Sequence, residues 1–179
     1  MLVDATAYSQ DIAYPTDLGL LNAGRMKCEE IIDRFYDPLL HRAVKPRSDR
    51  QKARKAYLNT AKKKTLAELN VAIRKQLRYV NWDLKMIDSL LCAFSENPLK
   101  EKERTYVETI RKVLVQQTYM QRNNTYSVVD RIVSIHQPQV RPIVRGKEKS
   151  TVEFGSKINL SLVEGYAFLD HLSWDAYNE

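Results

Sequence analysis

Two sets of side chains in this sequence are of types that do chemistry. The first is a single carboxylate, Asp4, set into the short apolar, β-prone run Leu2-Val3-Asp4-Ala5-Thr6. A strand fixes the backbone by its ladder while an Asp projects from it, which suits the hard oxygen ligation that Mg²⁺ or Mn²⁺ demands. The same pentapeptide is also that of a plain strand end or turn, so Asp4 by itself reads either as a metal ligand or as a structural residue. The second set is cationic. Residues 41–80 carry 13 Lys/Arg against 2 Asp/Glu and the remainder 16 against 20, so the whole net charge of +7 originates in one segment.

Such asymmetry is the footprint of a polyanion partner, and without a membrane signal the polyanion expected is nucleic acid. A solvated, Lys-rich helix is the alternative. The candidate DNA contacts are Arg47, Arg50, Lys52, Arg54, Lys55, Lys62, Lys63 and Lys64, joined by Arg141, Arg145 and Lys147 from a later basic run.

These residues must be positioned by a chain of 179 residues, 44% hydrophobic and 28% charged, enough for one core or for a smaller core with a helical arm. No apolar run approaches the ~20 residues of a membrane span, and the N-terminus reads directly into a strand with no signal peptide, so a cytoplasmic protein without membrane contact is expected. Cys28 and Cys92 fall on helical stretches without CxxC spacing. They read as reduced core thiols, and a zinc site is not expected.

In chain order, Pro15 ends the first strand region, and Thr16 as N-cap with Asp17 in the first turn opens a helix that runs to about Tyr36. A Pro-interrupted linker then leads into a basic helix from Ser48 or Asp49. Thr65-Leu66-Ala67-Glu68 is a capping box. From Leu66 the apolar stripe Leu69, Ile73, Leu77, Val80, Leu84, Ile87, Leu91, Phe94 averages 3.5 residues per step, and Asn97-Pro98 restarts a second helix with the same rhythm. The two are expected to zip into an antiparallel helical hairpin over 66–121. Beyond Asn124 the chain turns β-branched: a strand at Arg131-Ile132-Val133-Ser134, an edge or irregular run around Pro138 and Pro142, and a clear hairpin over Val152–Asp170 turning at Glu164-Gly165. Ser173 with Asp175 reads as the opening of a further helix.

Taken together, Val3-Asp4-Ala5-Thr6, Tyr14-Pro15-Thr16-Asp17, Arg131-Ile132-Val133-Ser134, the run from Val140 to Lys147 and Glu153-Phe154-Gly155-Ser156-Lys157 resemble, in this order, the DDE transposases of bacterial insertion sequences. The resemblance implies a ribonuclease H-like catalytic core in which three carboxylates hold two divalent metals to cut and rejoin transposon DNA, and it matches Asp4 to the first of these carboxylates. The fold expected is then α+β: a partial ribonuclease H-like sheet, made of the first strand plus a hairpin, interrupted by a long, mainly helical insertion. Residues 1–16 would be the first core strand and loop, 17–125 the insertion with its basic segment 41–80, and 126–179 the remaining core strands.

In the family the second Asp and the Glu lie beyond the hairpin and the helix that follows it, and no residue of this chain matches them. The helical region that usually precedes the first strand has no counterpart either. The chain is therefore expected to be an internal or truncated piece of a transposase, inactive alone, binding Mg²⁺ or Mn²⁺ weakly or not at all. Its partners would be transposon-end and target DNA, with a homo-oligomer allowed. Glu153, Glu164, Asp170 and Asp175 read as hairpin, turn and capping residues, not as substitutes. A stand-alone basic helical nucleic-acid-binding module and a helical-hairpin interaction protein are the competing readings.

Overall fold

A computed structural model of the chain describes residues 2–9, 12, 15–41, 49–60, 65–147 and 150–174. Over these described residues it is α+β, with four helices and a small antiparallel sheet, and the chain divides into two compact units: Met1–Pro15 with Val129–Glu179, and Thr16–Val128.

The second unit is helical: α1 (Asp17–Phe35), α2 (Arg50–Thr60), α3 (Leu66–Leu91) and α4 (Glu101–Asn123). Thr16 caps α1, its hydroxyl accepting from Gly19 N–H at 3.0 Å. The capping box at α3 is formed in both directions: Thr65 Oγ1 accepts from Glu68 N–H, and the Glu68 carboxylate accepts from Thr65 N–H at 2.9 Å. Thr65→Ala should accordingly cost about 0.5–2 kcal/mol, seen as a lower urea midpoint with an unchanged denaturant slope.

The expected two-helix hairpin is only part of the packing. Helices α3 and α4 do run antiparallel, with Asn70 against Gln121 at one end and Asp88 against Arg111 at the other. But α3 buries two adjacent rows, Ile73, Leu77, Val80, Leu84 and Ile87, and beside them Ala72, Gln76, Asp83 and Leu90. Two rows make a face too wide for a single coiled-coil seam, so α3 needs more than one neighbour. Helix α1 supplies it with Leu21, Cys28, Ile31 and Ile32 buried, and lies antiparallel to α4 as well: Gln117 donates to Asp17 at 2.7 Å, Gly24 faces Ile110, and Lys27 sits over the Tyr106 ring.

Two sequence expectations shift here. Helix α4 starts after Lys100, not at Asn97, because the Asn97 side chain accepts from Leu99 N–H and closes a turn of its own. Cys28 is buried as expected, but Cys92 is exposed, since as C-cap of α3 it falls past the buried rows. Burial pushes the Cys28 thiol well up from its ordinary value, as an inert core thiol requires.

In the first unit, β1 (Leu2–Ser9), β2 (Arg141–Lys147), β3 (Ser150–Val163) and β4 (Tyr166–Ser173) form one sheet around β3. Gly155 is the register partner of both Ser9 and Arg141, and Ile158 of both Thr6 and Leu172, so β1 holds one edge of β3 while β2 and β4 follow one another along the other. The hairpin turns where expected. Glu164 and Gly165 have φ of 50° and 82°, the paired positive values of a type I′ turn, which a Gly tolerates without strain.

The register slips by one residue at Asp170, whose carboxylate accepts from Ser161 Oγ at 3.1 Å. Arg131-Ile132-Val133-Ser134 is not a strand: Asp130 takes a positive φ of 51°, and Ser134 Oγ accepts from the N–H groups of His136 and Gln137, so a side-chain turn replaces the ladder. Ile132, Val133 and Ile135 are nonetheless buried. Ser173 ends β4, and the helix expected around Asp175 lies outside the described residues.

Candidate nucleic-acid interface

Helix α2 holds its place through one small residue and one ion pair. Ala53 is buried, and its carbonyl accepts from Gln76 Nε2 at 3.1 Å across to α3. Arg50 reaches α1 and makes a bidentate pair with Asp33, with contacts of 2.7 and 2.9 Å. This pair raises the affinity of Arg50 for its proton further and engages both terminal nitrogens, so Arg50 is a structural tether more than a free phosphate contact. Lys52 pairs with Asp49 at 3.0 Å but stays exposed, as do Arg54 and Lys55. Arg47 and Lys62, Lys63 and Lys64 lie outside the described residues.

The other nominated residues belong to the sheet unit. Arg141 is half-buried and turned back on its own segment, donating to the carbonyls of Pro138 and Val140. Arg145 and Lys147 lie on β2, where only their backbone is described, around its break in register with β3. Asp4 is placed by backbone pairing opposite Leu160. One carboxylate alone does not fit a two-metal site, which clamps its ions ~3.5–4 Å apart between several hard ligands. Among the described residues no group of three or more His, Cys, Asp and Glu is placed to hold a metal.

Two depressions in the helical unit differ in their electrostatics. A cleft of ≈ 520 Å³ beside α1, α2 and α3 is lined by Arg25, Arg50 and Arg78 but also by Glu29, Asp49 and Asp83, three charges of each sign. Its inner end is a buried charge cluster in which Arg25, 2% exposed, pairs with Glu29, and Asp83 is 4% exposed. Burial, with Glu29 adding to it, pushes the Asp83 carboxyl up to about 7, against the opposing pull of Arg25 and Arg50. The acidic side chains here offset most of the positive charge of the three arginines, which makes this cleft the weaker candidate for a polyanion.

A wider groove of ≈ 770 Å³ between α3 and α4 is lined by Arg74, Lys75, Arg78 and Arg122 with no acidic residue. These four are exposed, and three of them fall within the basic segment 41–80 yet were not singled out from the sequence. The signal was present: Arg74 and Arg78 are one turn apart, each next to a buried stripe residue, Ile73 or Leu77, on the solvent side of the helix.

No family model, curated protein or solved structure matches this chain. Among the described residues no helix is long and apolar enough to cross a membrane.

Proposed function

We propose that the chain is part of a DNA transposase of the DDE type, its sheet unit contributing the first strand and hairpin of a ribonuclease H-like core and its helical unit being an insertion that contacts DNA. The observation that carries this reading is the pairing of β1 with β3. Leu2–Ser9 runs antiparallel, in unbroken register, against 155–162, although the whole helical unit lies between them in sequence. A sheet whose first strand and hairpin are separated in sequence by a compact helical insertion is the arrangement that the resemblance implies, and the pairing sets the backbone of Asp4 in a strand beside the hairpin.

The outer strand adds support. Phe168 and Leu169 are neighbours on β4 and both are exposed, so apolar side chains are uncovered on both faces of the sheet at once. That is the condition of a sheet whose covering layers are contributed by further chain. Asp4 would then be one carboxylate of a metal site that other carboxylates complete. The alternative, a stand-alone nucleic-acid-binding module, draws on the compactness of Thr16–Val128 and its basic groove, and leaves the β1 pairing without a purpose.

The coding DNA discriminates between them. The transposase reading expects the frame downstream of codon 179 to encode an Asp on a strand and a Glu on a helix, with inverted repeats flanking the whole. An immediate stop codon with no such repeats would favour the binding module.

A further inference from the structure

We propose that the groove between α3 and α4 is a binding track for a phosphodiester backbone, with Arg74, Lys75, Arg78 and Arg122 as its phosphate contacts. The inference rests on the nucleic-acid reading above and assigns it a site separate from α2. Arg74, Lys75 and Arg78 span one turn of α3, about 6 Å at 1.5 Å per residue. Arg122 faces them from α4, because the antiparallel pairing sets Gln121 against Asn70.

Four cations are thus gathered into one groove, and no carboxylate lines it. Among the described residues none of the four forms an ion pair; Arg74 Nε donates to the Asn70 carbonyl, and Arg78 also borders the mixed-charge cleft on the other side of α3. Like charges so close repel one another, and a polyanion carrying one charge per about 3.4 Å along each strand offsets that repulsion.

The lining also favours a backbone strand over a bilayer. Asn81 and Thr118 place hydrogen-bonding side chains among the cations, and the floor is Leu77 and Leu114, buried and half-buried. A strand lying along this groove meets cations from both helices and these amide and hydroxyl groups together. Lys75 also borders a smaller cleft of ≈ 390 Å³ with Lys52 and Lys55 of α2, but Glu68 lines that cleft too, so the acid-free track is confined to α3 and α4.

The test is the salt dependence of binding to a short, fluorescein-labelled duplex of arbitrary sequence, using the full chain. Each neutralised phosphate contributes about −0.9 to the slope of log affinity against log salt on duplex DNA. The combined variant Arg74→Gln, Arg78→Gln, Arg122→Gln should therefore flatten the slope by about 2.7, while Arg74→Lys, Arg78→Lys, Arg122→Lys should keep it. An unchanged slope in the Gln variant, when Lys52→Gln, Arg54→Gln, Lys55→Gln does flatten it, would overturn the groove and leave the DNA reading standing; no binding by the unaltered chain would overturn both. Loss in the Lys variant equal to that in the Gln variant would mean a structural role and also overturn the track. So would capture of phosphatidylserine vesicles that the Gln variant abolishes while its DNA slope stays unchanged.

Should the Gln variant fail to fold, a cross-linker decides instead. With Cys92→Ser removing the exposed thiol, a photoreactive group on Arg78→Cys should cross-link to the duplex. One placed on Glu108→Cys, an exposed position of α4 outside the groove lining, should not. Equal yields from the two would overturn the track.

Discussion

Replacing Asp83 by Asn is expected to leave stability nearly unchanged at pH 4 and to raise it on the order of 2–4 kcal/mol at pH 8. Asp83 sits on α3 at 4% exposure, with Glu29 and Arg25 of α1 and Arg50 of α2 acting on it. Burial and the Glu29 carboxylate together outweigh the two guanidinium groups and hold the folded-state value near 7, against an ordinary 3.8. The sign follows from proton uptake. Between pH 4 and 7 the folded chain keeps a proton that the unfolded chain has released, so stability declines as pH rises through that window and stays low above it. Asparagine imitates the protonated carboxyl and removes the decline. Urea titrations of both proteins at pH 4, 6 and 8 check this; a difference that does not change with pH would mean that Asp83 remains ionised throughout.

The same cluster explains why the sequence alone suggested a simpler helical unit than the one observed. The apolar stripe from Ile73 to Ile87 is legible as a heptad pattern because Leu, Ile and Val declare a buried row by their type. The second buried row of α3 contains Gln76 and Asp83, and α1 buries Arg25, so polar letters hide the face that joins α1, α2 and α3. Local signals were read more faithfully where one side chain decides the geometry: Thr16 at α1, the Thr65–Glu68 box, and Glu164-Gly165 in the hairpin. They failed where two local motifs compete. Asn97 followed by Pro98 fits a helix start, but Asn97 is used for a turn four residues before α4 begins. Likewise Ile132-Val133 has β-type residues, and Ser134 diverts the backbone.

The candidate interface was partly legible for a related reason. Charge counting locates the basic segment but not which cations remain available. Arg50 and Arg141 are drawn into bidentate and backbone hydrogen bonds, while among the described residues Arg74, Arg78 and Arg122 stay exposed and form no ion pair, because the buried rows of α3 and α4 point elsewhere. Arg122 comes from a helix outside the basic segment and is brought to it only by the antiparallel packing, which no local pattern reveals.

On the proposed transposase reading, β1 is a catalytic-core strand and Asp4 a metal-binding carboxylate. A carboxylate that holds a catalytic ion stabilises charge built up in phosphoryl transfer, and removing one such stabilising group typically costs ~10²–10³-fold in rate. Mg²⁺- or Mn²⁺-dependent nicking of DNA carrying the inverted repeats that this reading expects, by the product of the whole open reading frame with and without Asp4→Asn, tests this. The substitution should lower nicking by at least ~10²-fold while DNA affinity and its salt slope stay the same. Nicking that persists at the unaltered rate in the Asp4→Asn protein would contradict it.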